Sequence, residues 1–290
     1  MAALTREQIE RFWNDGYVVT EGGATAGQLA ALGREVTRWV EESRKHAANY
    51  GETIDGRERF DLEAGHRAAK PRLRRVANPQ EVSDAFLDAI RNAPLVDMVA
   101  DLIGPDVKFH HAKLNLKQPG TATRAGWHQD HPYDPHTNDD VVVTLLMLDD
   151  MTLENGCLRV LPGAHRGERY SHWRDGRFTG EIAPEIMAGL DPGMVPVTGR
   201  AGSVCLMHTW MVHGSPGNMS DAPRTLFICD YTAADAFPLA RPAMPNAHLG
   251  EVVRGRASHS ARLEDCTLEL PAAYQESSFF ELQGQESAAE

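Results

Sequence analysis

The sequence has no long apolar run, and its first residues do not look like a signal peptide. Hydrophobic residues make up 42% of the 290-residue chain, yet none of its apolar stretches approaches the roughly 18 residues that span a bilayer. The first residues do not join a basic region to an apolar stretch, as a signal peptide does. We therefore expect a soluble, cytoplasmic protein that has no membrane partner.

Positive charge is also scarce. The chain has 29 basic and 41 acidic residues, which gives a net charge of −12. Binding to a nucleic-acid backbone needs clustered Lys and Arg, so no nucleic-acid partner is expected. The main basic run is Lys70-Pro71-Arg72-Leu73-Arg74-Arg75. Such a run is more typical of a solvated surface, although one of its side chains could reach an internal pocket.

Cysteine is limited to four residues that lie far apart and form no CxxC pair. Three of them fall in apolar, strand-like runs, so buried reduced thiols are expected. These residues are Cys157, Cys205, Cys229 and Cys266.

The first hundred residues show mainly helical spacing of apolar side chains. Thr5-x-x-Gln8 resembles a capping box, and Asp15-Gly16 is typical of a helix end. Helices are predicted at about 5–15, 25–46 and 83–103, a short strand at 17–19, and a loop at 49–70.

From residue 107 the pattern changes to short apolar and β-branched runs separated by turn residues. This pattern predicts an antiparallel sandwich or jelly roll. Asn155-Gly156 predicts a hairpin, because both residue types tolerate positive φ. We expect one domain over 1–290, with a mostly helical part (1–105), a jelly-roll core (106–235) and a C-terminal extension (236–290). Strands are predicted at 109–117, 141–148, 157–161, 203–212 and 225–231.

His128-Gln129-Asp130 places an imidazole and a carboxylate two residues apart. On an extended strand both would point to one face and could bind one metal ion. His213, 85 positions later, could supply a second imidazole. Two His and one carboxylate on one face of the metal are typical of non-haem Fe(II) oxygenases. His208 is a competing ligand, but its five-residue spacing from His213 places the two on opposite faces of a regular strand.

Arg224 follows His213 by 11 residues, across a turn that contains Gly and Pro. That turn would return the next strand antiparallel beside the first and bring Arg224 into the interior, deeper than the metal. A buried Arg needs an anionic partner. One end of 2-oxoglutarate can chelate iron, and its other carboxylate suits a guanidinium. The alternative is a structural ion pair of Arg224 with Asp221 or Asp230.

Together these motifs resemble the phytanoyl-CoA dioxygenase family of Fe(II)/2-oxoglutarate oxygenases. The resemblance covers nearly the whole chain and thins after about residue 235. The stretches that carry it are Leu116-Lys117-Gln118-Pro119-Gly120, Gly126-Trp127-His128-Gln129-Asp130, Leu148-Asp149-Asp150 through Asn155-Gly156-Cys157-Leu158, Leu161-Pro162-Gly163-Ala164-His165, His213-Gly214-Ser215 with Arg224, and the opening segment Leu4-Thr5 to Gly16-Tyr17.

The resemblance implies a mainly β fold with N-terminal helices, a double-stranded β-helix (cupin-like jelly roll). It also implies iron ligands at His128, Asp130 and His213, and 2-oxoglutarate contacts at Arg224 and Ser215. The carboxylate of Asp130 is informative, because halogenating relatives carry a small residue at this position. The resemblance therefore favours oxygenation over halogenation.

The sequence departs from the family pattern on the strand after the His-x-Asp loop. Some members carry a Trp near the cosubstrate there, whereas this chain has Leu145. That contact is therefore not implied here. The neighbouring Thr144 is a candidate hydrogen-bond donor to the cosubstrate.

The expected function is oxidation of a small organic molecule, such as a secondary metabolite, by O₂ and 2-oxoglutarate at Fe(II). Hydroxylation is the default outcome. One alternative is a metal-dependent cupin-type hydrolase or isomerase, which would activate water and consume no O₂. Others are a non-enzymatic binding barrel, and an acyl-CoA hydroxylase, which the acidic net charge mildly disfavours. The oligomeric state is left open.

Two further features concern access to the site. Residues 167–194 lie between strand-like runs and could form a lid or a surface insertion. Four histidines could line the substrate entrance, although each is more typical of an ordinary polar contact. They are His110, His111, His131 and His136.

Overall fold

Two β-sheets pack face to face, and helices cover the outer face of the larger one. The structure is a computed structural model that describes residues 2–272 and 279–284. The helices are α1 (Arg6–Asp15), α2 (Ala26–Ser43), α3 (Asp84–Asn92), α4 (Pro94–Ile103), α5 (Pro184–Leu190) and α6 (Phe279–Leu282). The strands are β1 (Tyr17–Thr20), β2 (Tyr50–Glu52), β3 (Glu58–Leu62), β4 (Leu73–Ala77), β5 (Val107–Lys117), β6 (Ala125–His128), β7 (Val141–Met147), β8 (Leu158–Val160), β9 (Trp173–Arg174), β10 (Arg177–Phe178), β11 (Val195–Val197), β12 (Val204–His208), β13 (His213–Ser215), β14 (Arg224–Ala233) and β15 (Val252–Arg254).

The larger sheet has the strand order β1-β12-β7-β14-β5-β4-β3-β2, and β15 also pairs with β5. The smaller sheet has the order β11-β8-β13-β6. All of the pairings within them are antiparallel. This arrangement confirms the predicted mainly β jelly roll, a double-stranded β-helix, with N-terminal helices.

Side-chain alternation on β7 separates the two layers of the core. Val142 and Leu146 join the cluster that packs under the helices, whereas Val143, Leu145 and Met147 face the smaller sheet. All seven residues of β7 are buried, because both faces of this central strand are covered. The space between the two sheets is where the candidate site lies.

The predicted helix α1 and strand β1 are confirmed. Thr5 caps α1 with a complete capping box, and Gly16 ends it with a left-handed φ of 82°. That conformation suits glycine, which has no Cβ to clash. β1 then pairs with β12 at the edge of the larger sheet.

The single helix predicted at 83–103 is wrong, because the chain forms two helices there. Pro94 has no amide hydrogen and restricts the residue before it to extended backbone. Ala93 accordingly has φ −68° and ψ 146°, and Pro94 begins α4. The sequence carried this signal in Pro94 itself.

The loop predicted at 49–70 is also wrong in part, because β2 and β3 fall within it and extend the larger sheet. The basic run was expected at the surface, but Arg74 and Arg75 lie buried on β4. Arg74 is neutralised by Asp61, whose Oδ2 lies 2.9 Å from its Nε. β3 and β4 are largely buried although they carry charged residues, such as Arg74 and Asp61, because those charges pair with one another. A search for apolar runs therefore does not detect these strands.

The strand predicted at 203–212 is too long, because residues 209–212 leave the larger sheet and connect it to the smaller one. β12 ends at His208 in the larger sheet, and β13 begins at His213 in the smaller one. β14 pairs with β5 and β7, so the expectation that it returns beside the strand of His213 is wrong. Arg224 and His213 therefore face each other from opposite sheets.

The hairpin predicted at Asn155-Gly156 is wrong for a related reason. β7 belongs to the larger sheet and β8 to the smaller one, so the turn carries the chain from one sheet to the other. Gly156 has φ 80°, and a Cβ there would lie 2.8 Å from the carbonyl oxygen of Pro216. The glycine is needed for a close approach of two loops rather than for a hairpin.

The cysteines, the helix lengths and the C-terminal extension also bear on the sequence predictions. All four cysteines are free there, and three are buried, as predicted; Cys266 is exposed. None of the described helices is long and apolar enough to cross a membrane. The extension after residue 235 contains β15 and α6, while residues 285–290 lie outside the described residues. The assignment of one domain to 1–290 stays a prediction.

Candidate active site

Three predicted ligand residues meet between the sheets. His128 ends β6 and His213 begins β13, and the two are direct partners in the antiparallel register. Asp130 lies just beyond β6, with its carboxylate oxygens 3.4 Å from His128 Nε2 and 3.6 Å from His213 Nε2. One ligand atom from each residue lies within 4.8 Å of the others. This is a compact donor set for one metal ion.

Hydrogen bonds fix which nitrogen of each imidazole faces the carboxylate. His128 Nδ1 lies 2.6 Å from the carbonyl oxygen of Gly126, and His213 Nδ1 lies 2.9 Å from that of Met211. A carbonyl only accepts, so each Nδ1 carries the hydrogen and each Nε2 is left with a lone pair. This is how metal-binding imidazoles are commonly oriented.

The electrostatics favour the ligand forms of these groups. Burial, together with His128, lowers the pKa of His213 to about 4, so its imidazole is neutral near pH 7. Burial alone would raise the pKa of Asp130, but the two histidines outweigh it and lower that pKa below its usual range. A neutral imidazole and an ionised carboxylate are the forms that bind metal ions.

Gln129, between the two ligands, points away from them and is fully buried. Its Nε2 donates to the carbonyl oxygens of Trp210 at 2.8 Å and Glu168 at 3.1 Å. Its Oε1 accepts from the backbone amide of Tyr170 at 3.0 Å. Gln129 thus ties the start of the 167–194 segment to the metal-ligand loop.

Arg224 begins β14 and lines the same cavity as the three ligands. It is 3% exposed, and no described residue forms an ion pair with it. The expected alternative partners do not reach it: Asp221 is exposed, and Asp230 lies near His111 instead. Arg224 Nε has no hydrogen-bond partner in the described part of the chain, and burial lowers the pKa of Arg224 to about 10. The geometry is that of a cation prepared for an anionic ligand.

Ser215 also lines the cavity, and its partner was not predicted from the sequence. Lys117 Nζ donates to Ser215 Oγ at 2.7 Å and also contacts the carbonyl oxygen of Pro216. Lys117 is the register partner of Arg224, so two buried cations lie side by side. Burial and Arg224 both lower the pKa of Lys117.

Asn115 is a second residue that the sequence interpretation missed. It lies two positions before Lys117 on β5 and lines the cavity, and no described residue forms a hydrogen bond with its buried Oδ1. Leu145 and Leu226 provide apolar walls close by. A cavity that combines the ligand triad with the buried guanidinium of Arg224 and the free Oδ1 of Asn115 fits a keto-dicarboxylate such as 2-oxoglutarate.

Two other predicted or competing site residues lie elsewhere. Thr144 points to the outer face of β7, where its Oγ1 donates to the carbonyl oxygen of Cys229 at 3.1 Å. It therefore does not face the cavity as expected, because its neighbours Val143 and Leu145 occupy that face. His208 packs against Phe12 and Trp13, outside the ligand triad.

An inner cavity adjoins the metal site on the side away from Arg224. Asp130, Arg75 and Lys113 line both spaces. Tyr133 and Ala243 connect the inner cavity to an outer one of about 460 Å³. Together these spaces form a route from the surface to the metal ligands.

The four histidines considered at the entrance have different surroundings. His111 lines the inner cavity, whereas His110 has its Nδ1 2.8 Å from that of His111. His131 stacks on Trp210, and His136 Nδ1 lies 2.7 Å from the carbonyl oxygen of Asp134. Of the four, His111 alone lines the inner cavity.

The segment at 167–194 contains β9, β10 and α5 and packs beside the site. Phe178 lines the outer cavity together with Tyr133, whose hydroxyl donates to the carbonyl oxygen of Gly180. Ile182 and Met187 pack into a small apolar cluster with Val212. The segment therefore forms one wall of the route to the metal ligands.

Comparison with known proteins agrees with this geometry. The profile of the phytanoyl-CoA dioxygenase family matches residues 12–226. A probable alpha-ketoglutarate-dependent hypophosphite dioxygenase of Stutzerimonas stutzeri is 31% identical over 271 residues, covering 91% of both chains. An L-proline trans-4-hydroxylase of Streptomyces griseoviridis is 31% identical over 176 residues, covering 54% of this chain and 65% of that protein.

A solved structure shows the same fold. It is that of EctD from S. alaskensis with 2-oxoglutarate and 5-hydroxyectoine, which is 24% identical with a TM-score of 0.66 and covers 91% of this chain and 88% of that one. The family profile spans most of the sequence, including the His-x-Asp motif, His213 and Arg224. The chain therefore belongs to the phytanoyl-CoA dioxygenase family and is a 2-oxoglutarate-dependent dioxygenase that uses Fe(II) and O₂.

Proposed function

We propose that His128, Asp130 and His213 hold the Fe(II) ion and that Arg224 and Ser215 bind the far carboxylate of 2-oxoglutarate. The observation that carries this assignment is the buried guanidinium of Arg224, which pairs with no described acidic residue and lies in one cavity with the ligand triad. When bound, the metal and cosubstrate supply the oxidation of a substrate by O₂, with release of succinate and CO₂.

The protein side chains orient the reactants and exclude water. The Nδ1 hydrogen bonds to Gly126 and Met211 hold each imidazole with Nε2 towards the metal position. Lys117 fixes the Ser215 hydroxyl, so that its hydrogen can turn towards a carboxylate oxygen. The apolar walls at Leu145 and Leu226 reduce access of water and strengthen these charge interactions.

The substrate that we propose is a small polar molecule. The inner cavity has polar and charged walls, including His111, Lys113 and Asp230, rather than the apolar channel that a long acyl chain would need. The relatives described above are named for hypophosphite, as a probable dioxygenase, and for L-proline, and both compounds are small and polar. Hydroxylation is the expected default for an organic substrate.

Anaerobic metal and cosubstrate binding tests the assignment. Fe(II) and 2-oxoglutarate together should give the weak visible charge-transfer band of a chelated keto acid. His128→Ala should lose both the band and bound iron while keeping the far-UV circular dichroism of the fold. His259→Ala, which alters an exposed histidine, is the matched control and should retain both. A folded, iron-loaded wild-type protein without the band would refute the proposal.

A further inference from the structure

Lys113 presents a charged group to the reaction space. It lies on β5, where alternation places it on the same face as His111 and Asn115. It lines both the metal cavity and the inner cavity. No described residue forms a hydrogen bond or an ion pair with its ammonium, although an ammonium has three hydrogens to donate.

Three acidic side chains lie near Lys113, but none of them forms an ion pair with it among the described residues. Asp130 lies between the two imidazoles of the metal site. Asp134 Oδ1 accepts from the backbone amide of Ala243 at 2.8 Å, and Asp230 Oδ2 lies 3.7 Å from His111 Nε2. None of the three carboxylates comes within 4.0 Å of the Lys113 ammonium among the described residues. Burial acts to raise the pKa of all three carboxylates, and the positive charge of Lys113 acts to lower it, yet in the described part of the chain its ammonium hydrogens remain available to a ligand.

The strand register separates Lys113 from the far carboxylate of the cosubstrate. Arg224 pairs with Lys117, whereas Ile228 pairs with Lys113. Four residues along a strand span about 13 Å. The four carbon–carbon bonds of 2-oxoglutarate extend over only about 6 Å. Lys113 thus lies near the metal ligands, on the side of the inner cavity.

The inner cavity is also asymmetric. Arg75 and Lys113 supply positive charge where it meets the metal cavity, and Met244 packs against Arg75. Asp134 and Asp230 also line this cavity, and Ala243 supplies apolar surface towards the outer cavity. A molecule with a compact charged head and a less polar remainder would match this order. A head with negative charge would satisfy the hydrogens of the ammonium.

We propose that the substrate carries a compact anionic group, a carboxylate or a small oxyanion, which Lys113 binds beside the metal. This inference rests on the proposed function. It extends that function by naming the group that the protein recognises and the residue that recognises it. Lys113 is then a specificity-determining residue, distinct from Lys117, which acts on the cosubstrate side.

The test separates substrate binding from cosubstrate binding. Wild type, Lys113→Met and Lys113→Arg are loaded with Mn(II) and 2-oxoglutarate, and their thermal shift is titrated with acetate, L-proline, hypophosphite, phosphite and methylphosphonate. Prolinamide, which keeps the ring and the ammonium of proline but lacks its carboxylate, is the matched probe. We expect at least one anion to stabilise the wild type, and its apparent affinity to fall by about tenfold or more in Lys113→Met and to recover in Lys113→Arg. Stabilisation by the carboxylates identifies an organic acid, and stabilisation by the phosphorus oxyanions identifies an inorganic or phosphonate group.

A second titration distinguishes a role of Lys113 in substrate binding from a role in cosubstrate binding. The anaerobic charge-transfer band of Fe(II) and 2-oxoglutarate should have a midpoint in Lys113→Met within about twofold of the wild type. A larger shift would mean that Lys113 binds the cosubstrate, which overturns the proposal. The absence of any Lys113-dependent anion effect overturns it as well, and so does stabilisation by proline that prolinamide matches. Absence of the band in the wild type would instead refute the proposed metal and cosubstrate site.

Discussion

Replacing Arg224 with Met should stabilise the ligand-free protein while weakening 2-oxoglutarate binding. Arg224 is buried, and its guanidinium has no acidic partner among the described residues. Burial lowers its pKa from the ordinary value of 12.5 to about 10. At 1.36 kcal/mol per pH unit, that difference corresponds to roughly 3 kcal/mol of destabilisation by the buried charge.

The destabilisation by Arg224 depends on pH, because only the charged guanidinium is disfavoured by burial. Burial disfavours the charged guanidinium, so the cost is fully present below pH 10 and declines as the pH rises above it. Unfolding measured near pH 7.5 therefore includes the whole cost. Met keeps a flexible apolar side chain in the same space and removes the charge. The free energy of unfolding of metal-free Arg224→Met should rise by about 1 to 3 kcal/mol, because part of the gain is offset by imperfect packing.

The effect on the cosubstrate has the opposite direction. A buried charge pair that loses one partner typically weakens by about 3 to 5 kcal/mol. With 1.4 kcal/mol for each tenfold change, the affinity for 2-oxoglutarate should fall by about 100-fold or more. Urea unfolding of the metal-free protein measures the first effect, and the anaerobic charge-transfer titration measures the second.

Arg91→Met is the matched control, because Arg91 is 38% exposed and pairs with Glu251 at the surface. Its loss should lower stability by no more than about 1 kcal/mol and leave the titration unchanged. If Arg224→Met instead destabilised the metal-free protein by more than about 1 kcal/mol and bound 2-oxoglutarate as the wild type does, Arg224 would be a structural residue and the cosubstrate assignment would be wrong.

Three further predictions concern the residues around this slot. Asp130→Ala should stay folded but lose iron on gel filtration, and stoichiometric iron in that variant would contradict the ligand assignment. Lys117→Met should raise the 2-oxoglutarate concentration for half-saturation by about tenfold, because Ser215 loses its donor. Lys45→Met, at an exposed site, is the control and should leave that concentration unchanged. A Lys117→Met titration equal to that of the wild type would contradict the positioning role of Lys117. Gln129→Ala should leave the buried carbonyl of Trp210 without its donor, which should lower the free energy of unfolding by about 1 to 3 kcal/mol and speed proteolysis after residue 167. A proteolysis rate equal to that of the wild type would show that Gln129 does not anchor the 167–194 segment.

The parts of the site that were predictable from sequence are those that depend on local spacing or on a motif. His128 and Asp130 are close in the chain, and the turn after a short strand brings them together whichever sheet the strand joins. The capping box at Thr5 and the left-handed Gly16 likewise depend on adjacent residues. Such features need no knowledge of distant pairing.

The features that sequence did not predict depend on which sheet each strand joins. The turn after His213 suggested a return beside the same strand, but Arg224 starts a strand of the opposite sheet. The same limit explains Thr144, since β7 is apolar on both faces and its sequence does not reveal which face meets the cavity. Asn115 and Lys117 share a face by alternation, yet nothing local indicates that this face is the ligand side.

The polar face of β5 shows how the fold and the activity are connected. Lys117, Asn115, Lys113 and His111 follow one another on a strand whose opposite face is apolar core. Two of these side chains bear charges that are not neutralised by a described acidic partner, so the folded protein is less stable than it would be with apolar residues there. On the neighbouring strand β14, Arg224 is the register partner of Lys117, and Asp230 is the register partner of His111. Positive charge thus lies at the far end of the cosubstrate slot and again near the metal ligands.

Two separate anionic groups can offset the cost of burying these charges. One comes from the cosubstrate at Arg224 and Lys117 and, on our proposal, the other comes from the substrate at Lys113. The same residues that destabilise the ligand-free core would then keep the two ligands apart and in order along one strand.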